Sequence, residues 1–123
     1  MEKLLIIQNG ATDQLRLEAG EILCIHADGN YCMMTLSDGR EMQLWMNLLE
    51  VTRLIDEQMK NERSVFVRTG RQYILNLRYI SRIDTKRDEL TLWRKDITAP
   101  ILIKTISHEA LTKLSKGIKE ITL

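Results

Sequence analysis

The sequence predicts a mainly β, α+β fold: packed antiparallel β-sheets with one central and one C-terminal helix. Three observations predict it. Two turn signals, Ala27-Asp28-Gly29-Asn30 and Ser37-Asp38-Gly39-Arg40, separate β-rich runs in the first 45 residues. Two later stretches carry apolar residues at helical spacing behind a capping residue, Asn47 for one and Ser107 for the other. The order is strands, helix, strands, helix, with strands in the majority, a pattern that suits layered antiparallel sheets.

Lys3 to Gln8 and Gln14 to Leu17 read as two strands broken at Asn9-Gly10. Glu21 to His26, Tyr31 to Leu36 and Glu41 to Trp45 read as a three-stranded meander. Asp-Gly between such runs favours a tight hairpin, and a type I′ turn there needs positive φ at both central residues. A helix is expected over 48–60. Asn47 caps it, Glu50 three residues on completes a capping box, and Met46 with Val51 is placed for a hydrophobic staple. Leu48, Val51, Ile55 and Met59 form its apolar stripe, which reads as core packing.

In the second half, Val65 to Val67 and Tyr73 to Leu75 are short strand runs. Ile80 to Thr85 and Leu90 to Arg94 flank the polar turn Lys86-Arg87-Asp88, and Ile101 to Lys104 follows the only proline, Pro100. Ser107 caps the last helix, with Glu109 in the first turn, where the helix dipole favours an acid. Ile106 with Leu111 makes a staple, and Leu111, Leu114 and Ile118 form the stripe. Gly117 is expected to weaken its last turn. Trp45 and Trp93 read as core or edge packing, and His26 as a strand-face residue.

The 123 residues suit one domain over 1–123, large enough to bury a core without staples. Leu4 to Ile7 is the apolar start, too short for a signal peptide or a membrane span, so the chain is expected in the cytoplasm with no insertion into a membrane. Cys24 and Cys32, each within an apolar run, read as reduced packed thiols. With two histidines and no Cys-x-x-Cys, neither a metal nor a cofactor is expected. The sequence shows no nucleophile elbow, phosphate loop or metal spacing, so no enzymatic role is expected.

The net charge of +1 hides an asymmetry. Residues 1–59 hold ten acidic and four basic side chains, and residues 60–123 hold seven and fourteen. Arg63, Arg68, Arg71, Arg78 and Arg82 fall in a stretch with no acid between 63 and 83. Such a separation suits a polyanion-facing surface, or arginines spread over a solvated surface and paired with the acidic half. Charge alone does not choose; position in the fold must.

The segment from Ser64 to Asp84 is the most informative. Phe66, Arg68, Arg71, Gln72, Tyr73, Leu75, Asn76, Leu77 and Ile80 resemble the central signature of the LytTR DNA-binding domain. The stretch from Glu21 to Tyr31, the run Asn47-Leu48-Leu49-Glu50 and the run from Ile106 to Leu111 resemble its flanking elements. The resemblance covers about 15–116, and the order and spacing of the motifs carry it. It implies packed antiparallel sheets that read DNA with loops, which enter successive major grooves and bend the duplex. By position, Asn30 and Arg71 would face bases, and the third reading position, basic in the family, falls on His108 or Glu109. Ser107 is kept there, but His108-Glu109 replaces the family's arginine pair, and a glutamate there would repel phosphate.

Arginine can place two donors on guanine and asparagine can do the equivalent for adenine. Arg68, Gln72 and Lys104 suit phosphate, which positions without reading sequence. Asn30 also serves as a plain turn residue. Asn76 reads as a turn or backbone-bonding residue, and His108 as a first-turn surface residue. The expected partners are double-stranded DNA with paired repeats, a second copy on that DNA, and a regulatory protein, with synthesis level or a co-encoded membrane protein as open alternatives for control. Two rivals remain open. A single-strand binder would want exposed aromatics, which are only 5% here. A protein-interaction module that kept the fold and lost DNA binding would show no shift of DNA mobility.

Overall fold

The computed structural model describes residues 3–60 and 65–122, so Arg63 and Ser64 of the basic stretch lie outside the described residues. Ten strands and two α-helices follow one another: β1 (Leu4–Gln8), β2 (Gln14–Glu18), β3 (Ile22–Asp28), β4 (Tyr31–Leu36), β5 (Glu41–Leu44), α1 (Leu48–Gln58), β6 (Phe66–Thr69), β7 (Tyr73–Asn76), β8 (Ile80–Asp84), β9 (Glu89–Leu92), β10 (Ile101–Ile103) and α2 (His108–Thr122). They form a two-stranded sheet (β1-β2), a five-stranded sheet (β5-β4-β3-β7-β6) and a three-stranded sheet (β10-β9-β8), every pairing antiparallel.

The five-stranded sheet is the middle layer. One face packs on β1-β2 and α1 through Leu5, Ile7, Leu17, Ile25, Met34, Val51 and Ile55. The other packs on β8 to β10 and α2 through Leu23, Leu75, Leu90, Leu92, Ile103 and Leu111. A strand covered on both sides reads as an unbroken apolar run, which is the pattern of Ile22 to Ile25. The pairing of β3 with β4 slips by one residue between Ile22 and Cys24. That bulge sends Leu23 and Cys24 together into the second core cluster while Ile22 and Ile25 serve the first.

The helix caps form as expected. Asn47 Oδ1 accepts from the Glu50 N–H at 2.9 Å and Glu50 Oε1 accepts from the Asn47 N–H at 3.2 Å. Ser107 Oγ accepts from the Ala110 N–H at 3.2 Å. Three details differ from the sequence reading. The β3-β4 turn has positive φ at Gly29 (+67°) but not at Asn30, the pattern of a II′ turn and not of I′. Two 3-10 turns, Ala19–Glu21 and Leu77–Tyr79, lead into β3 and β8. α2 runs through Gly117 to Thr122, because its buried stripe outweighs one glycine.

Candidate nucleic-acid interface

Three segments meet at one end of the five-stranded sheet. β3 ends at Asp28 opposite Tyr31 of β4, so Gly29 and Asn30 form an exposed tip. Beside it β7 starts at Tyr73, opposite His26. The Ala27 N–H donates to the Gln72 carbonyl at 2.8 Å, which sets the turn Gly70-Arg71-Gln72 next to the Asn30 tip. The hydroxyls of Tyr73 and Thr105 lie 2.5 Å apart and tie the approach to α2 to the same end. Thr69 to Tyr73 then face Thr105 to Ser107 and Glu109 across one depression. Gly70 has φ +65°, and a Cβ there would stand 3.6 Å from the Ala110 Cβ, so turn and helix are closely seated.

The expected site residues differ in how free they are. Asn30, Arg71 and Gln72 are exposed at the tips of adjacent turns. Arg68 is exposed on β6, one of the two edge strands of the sheet. Ser107 has its hydroxyl oxygen engaged as the α2 cap. Lys104 Nζ lies 3.9 Å from Glu89 Oε1, a surface pair of the kind worth about 0–1 kcal/mol and easily exchanged. His108 Nδ1 is 2.6 Å from Asp88 Oδ1 in the β8-β9 turn. That hydrogen bond already uses Nδ1. Asp88 is the one described non-glycine residue with positive φ (56°).

Asn76 is fully buried and faces no partner outside the fold. Its Nδ2 donates to the Ile22 carbonyl at 2.9 Å and its Oδ1 accepts from the Arg78 N–H at 3.0 Å. It therefore fastens β7 to the bulged start of β3, and so holds the two turn-bearing strands in register.

The electrostatics of this end are mixed. Arg68 and Arg71 are exposed cations, Glu109 shares the depression with Arg71, and exposed Asp28 stands at the foot of the Asn30 tip. Asp84, the last residue of β8, has its carboxyl held below the usual range, first by the Arg87 N–H and then by the Lys86 N–H of the turn that follows. Arg87 and Lys86 therefore sit on a fixed turn.

The family model of the LytTr DNA-binding domain matches residues 13–111, most of the chain. The chain belongs to the LytTR DNA-binding domain family. DNA binding in transcription regulators is the family's role. A LytTr DNA-binding domain from Bacillus cereus has a similar structure, with TM-score 0.60 and 14% identity over 94% of this chain and 96% of that one. At that identity the likeness speaks for the LytTR fold alone. Comparison with curated proteins gave no match. Among the described residues of this LytTR domain, no three or more His, Cys, Asp or Glu side chains gather in a metal-binding group. No described helix is long and apolar enough to cross a membrane.

Two features of this LytTR domain escaped the sequence reading. The His108–Asp88 hydrogen bond and the Lys104–Glu89 ion pair join different elements, so no local spacing announces them. Trp45, expected as core or edge packing, follows the edge strand β5 and packs on Tyr31, with an exposure of 62% that its sequence did not announce. Its position directly after β5, before the Asn47 cap, is the one signal that it leaves the sheet there.

Proposed function

We propose that this LytTR domain binds double-stranded DNA sequence-specifically, reading base edges with turns in place of a recognition helix, as part of a transcription regulator. The adjacency of the Gly29-Asn30 tip, the Gly70-Arg71-Gln72 turn and the start of α2 carries the reading. Asn30 and Arg71 face bases. Arg68, Gln72 and Lys104 hold phosphates, and Ser107 and His108 line the third contact at the α2 N-terminus. Glu109 weakens that third contact, since a carboxylate beside phosphate is repelled. One molecule sits on each of two spaced repeats, and the duplex bends between them. The domain acts in the cytoplasm and has no catalytic task.

The test is selection of bound duplexes from a random pool at two salt concentrations. The proposal expects a recurring paired motif and an affinity that falls steeply with salt, the log–log slope being near −0.9 per phosphate contacted. Recovery of no motif, with no retardation of any duplex, would leave the fold as a protein-docking module.

A further inference from the structure

The same end of the sheet carries an aromatic pair that the three-loop reading does not use. β5 ends at Leu44 opposite Cys32, so Trp45 comes next, alongside Tyr31, the residue that follows Asn30. The two rings meet edge to face, 5.7 Å between centroids at 63°. Trp45 is 62% exposed, yet its backbone is fixed. Its N–H donates to Asn9 Oδ1 at 2.7 Å, and the same buried Asn9 donates through Nδ2 to the Gln43 carbonyl at 2.9 Å. Neighbouring strands lie about 4.8 Å apart, so the β5 end stands roughly 7 Å from the centre of the β3-β4 turn, about two base-pair steps. It lies on the opposite side of that turn from Arg71.

We propose that Trp45, supported by Tyr31, is a further DNA contact. It lays an apolar surface on a nucleotide about two steps from the one read by Asn30. The inference rests on the DNA-binding reading above. A large exposed aromatic on a hydrogen-bonded backbone offers much apolar area, the character of an interface anchor. The chemistry it meets is the apolar part of a nucleotide: the deoxyribose, or the 5-methyl group that thymine shows in the major groove. The contact adds no charge, so it strengthens binding without adding to the counterions released.

The experiment uses the full chain and a duplex recovered by the selection above. Trp93→Phe leaves Trp45 as the sole tryptophan. Its emission should become protected from acrylamide when that duplex saturates the protein. Trp45→Ala should weaken binding about tenfold, the scale of one aromatic anchor, with the salt slope unchanged. Trp45→Phe should restore most of the affinity. Replacing thymines by deoxyuridine should weaken the wild type but not Trp45→Ala if the methyl is met. Equal loss of affinity on Trp45→Ala with both duplexes places the contact on the sugar. Undiminished quenching together with a Trp45→Ala affinity within about twofold of wild type overturns the proposal while leaving the DNA-binding reading intact. So does Trp45 protected without DNA in a sedimenting dimer, which would assign the ring to a second copy. A wild type that retains no duplex ends both readings.

Discussion

Asn76→Ala tests whether the two turn-bearing strands are held together as described. The substitution removes a hydrogen bond from Nδ2 to the Ile22 carbonyl and another from the Arg78 N–H to Oδ1. Each such bond contributes about 1 kcal/mol net. The Ile22 carbonyl would also lose its side-chain donor, and a buried group left unpaired costs about 1–3 kcal/mol. Because Asn76 is 0% exposed, water does not readily replace the amide. The expected loss is about 2–4 kcal/mol. For 123 residues the unfolding entropy near the midpoint is about 0.26 kcal/mol per degree, so Tm should fall by about 8–15 °C. Urea unfolding followed by circular dichroism gives the free energy, and the midpoint should move with the m-value unchanged. A loss under about 1 kcal/mol would mean that this amide does not fasten β7 to β3, and the fixed spacing of the Asn30 and Arg71 turns would need another cause.

Four further outcomes follow from the same geometry. Arg71→Ala should weaken binding of a selected duplex and relax base preference at one position, by about 1–3 kcal/mol of discrimination, seen by repeating the selection with the variant. Arg68→Ala should weaken all duplexes alike and make the salt slope shallower by about one, measured by titration across salt concentrations. Glu109→Gln should raise duplex affinity, most at low salt, since it removes a negative charge from the depression that holds Arg71. Burial pushes the Cys24 thiol from 9.0 up to about 11. The folded state therefore favours the protonated thiol: that stabilisation is complete below pH 9 and is lost as pH rises towards 11, by about 2–3 kcal/mol in all. Urea midpoints for wild type and Cys24→Ala across that range should show the variant declining less.

The strands and helices were legible because their signals are local. Glycine-bearing turns, alternating burial in β1 and β2, and the reciprocal Asn47-Glu50 cap each lie within a few residues. Boundaries moved by one or two residues, as for β6, where pairing with Tyr73 carries the strand on to Thr69. Sheet order was not legible. β3 lies beside β7 across nearly 50 residues, and that choice depends on which apolar faces can be buried together. The bulge at Leu23 was hidden because a run of four buried apolar residues looks alike with or without a slip. The adjacency of Asn30, Arg71 and Ser107 came from position within a family pattern, while their separate partners did not. The engaged Nδ1 of His108 depends on Asp88, 20 residues away. Trp45 illustrates the same limit: its apolar neighbours suggest burial, but the strand ends one residue earlier and the ring emerges beside Tyr31.

In the proposed function, adjacent turns form one surface for a double helix. Backbone amide shifts recorded while titrating the full chain with a selected duplex test that most directly. The largest changes should fall at Gly29 and Asn30, at Gly70 to Gln72 and at Thr105 to His108, and should fade together as salt is raised. Changes confined to α1 and the β1-β2 sheet, or none at any duplex concentration, would contradict it.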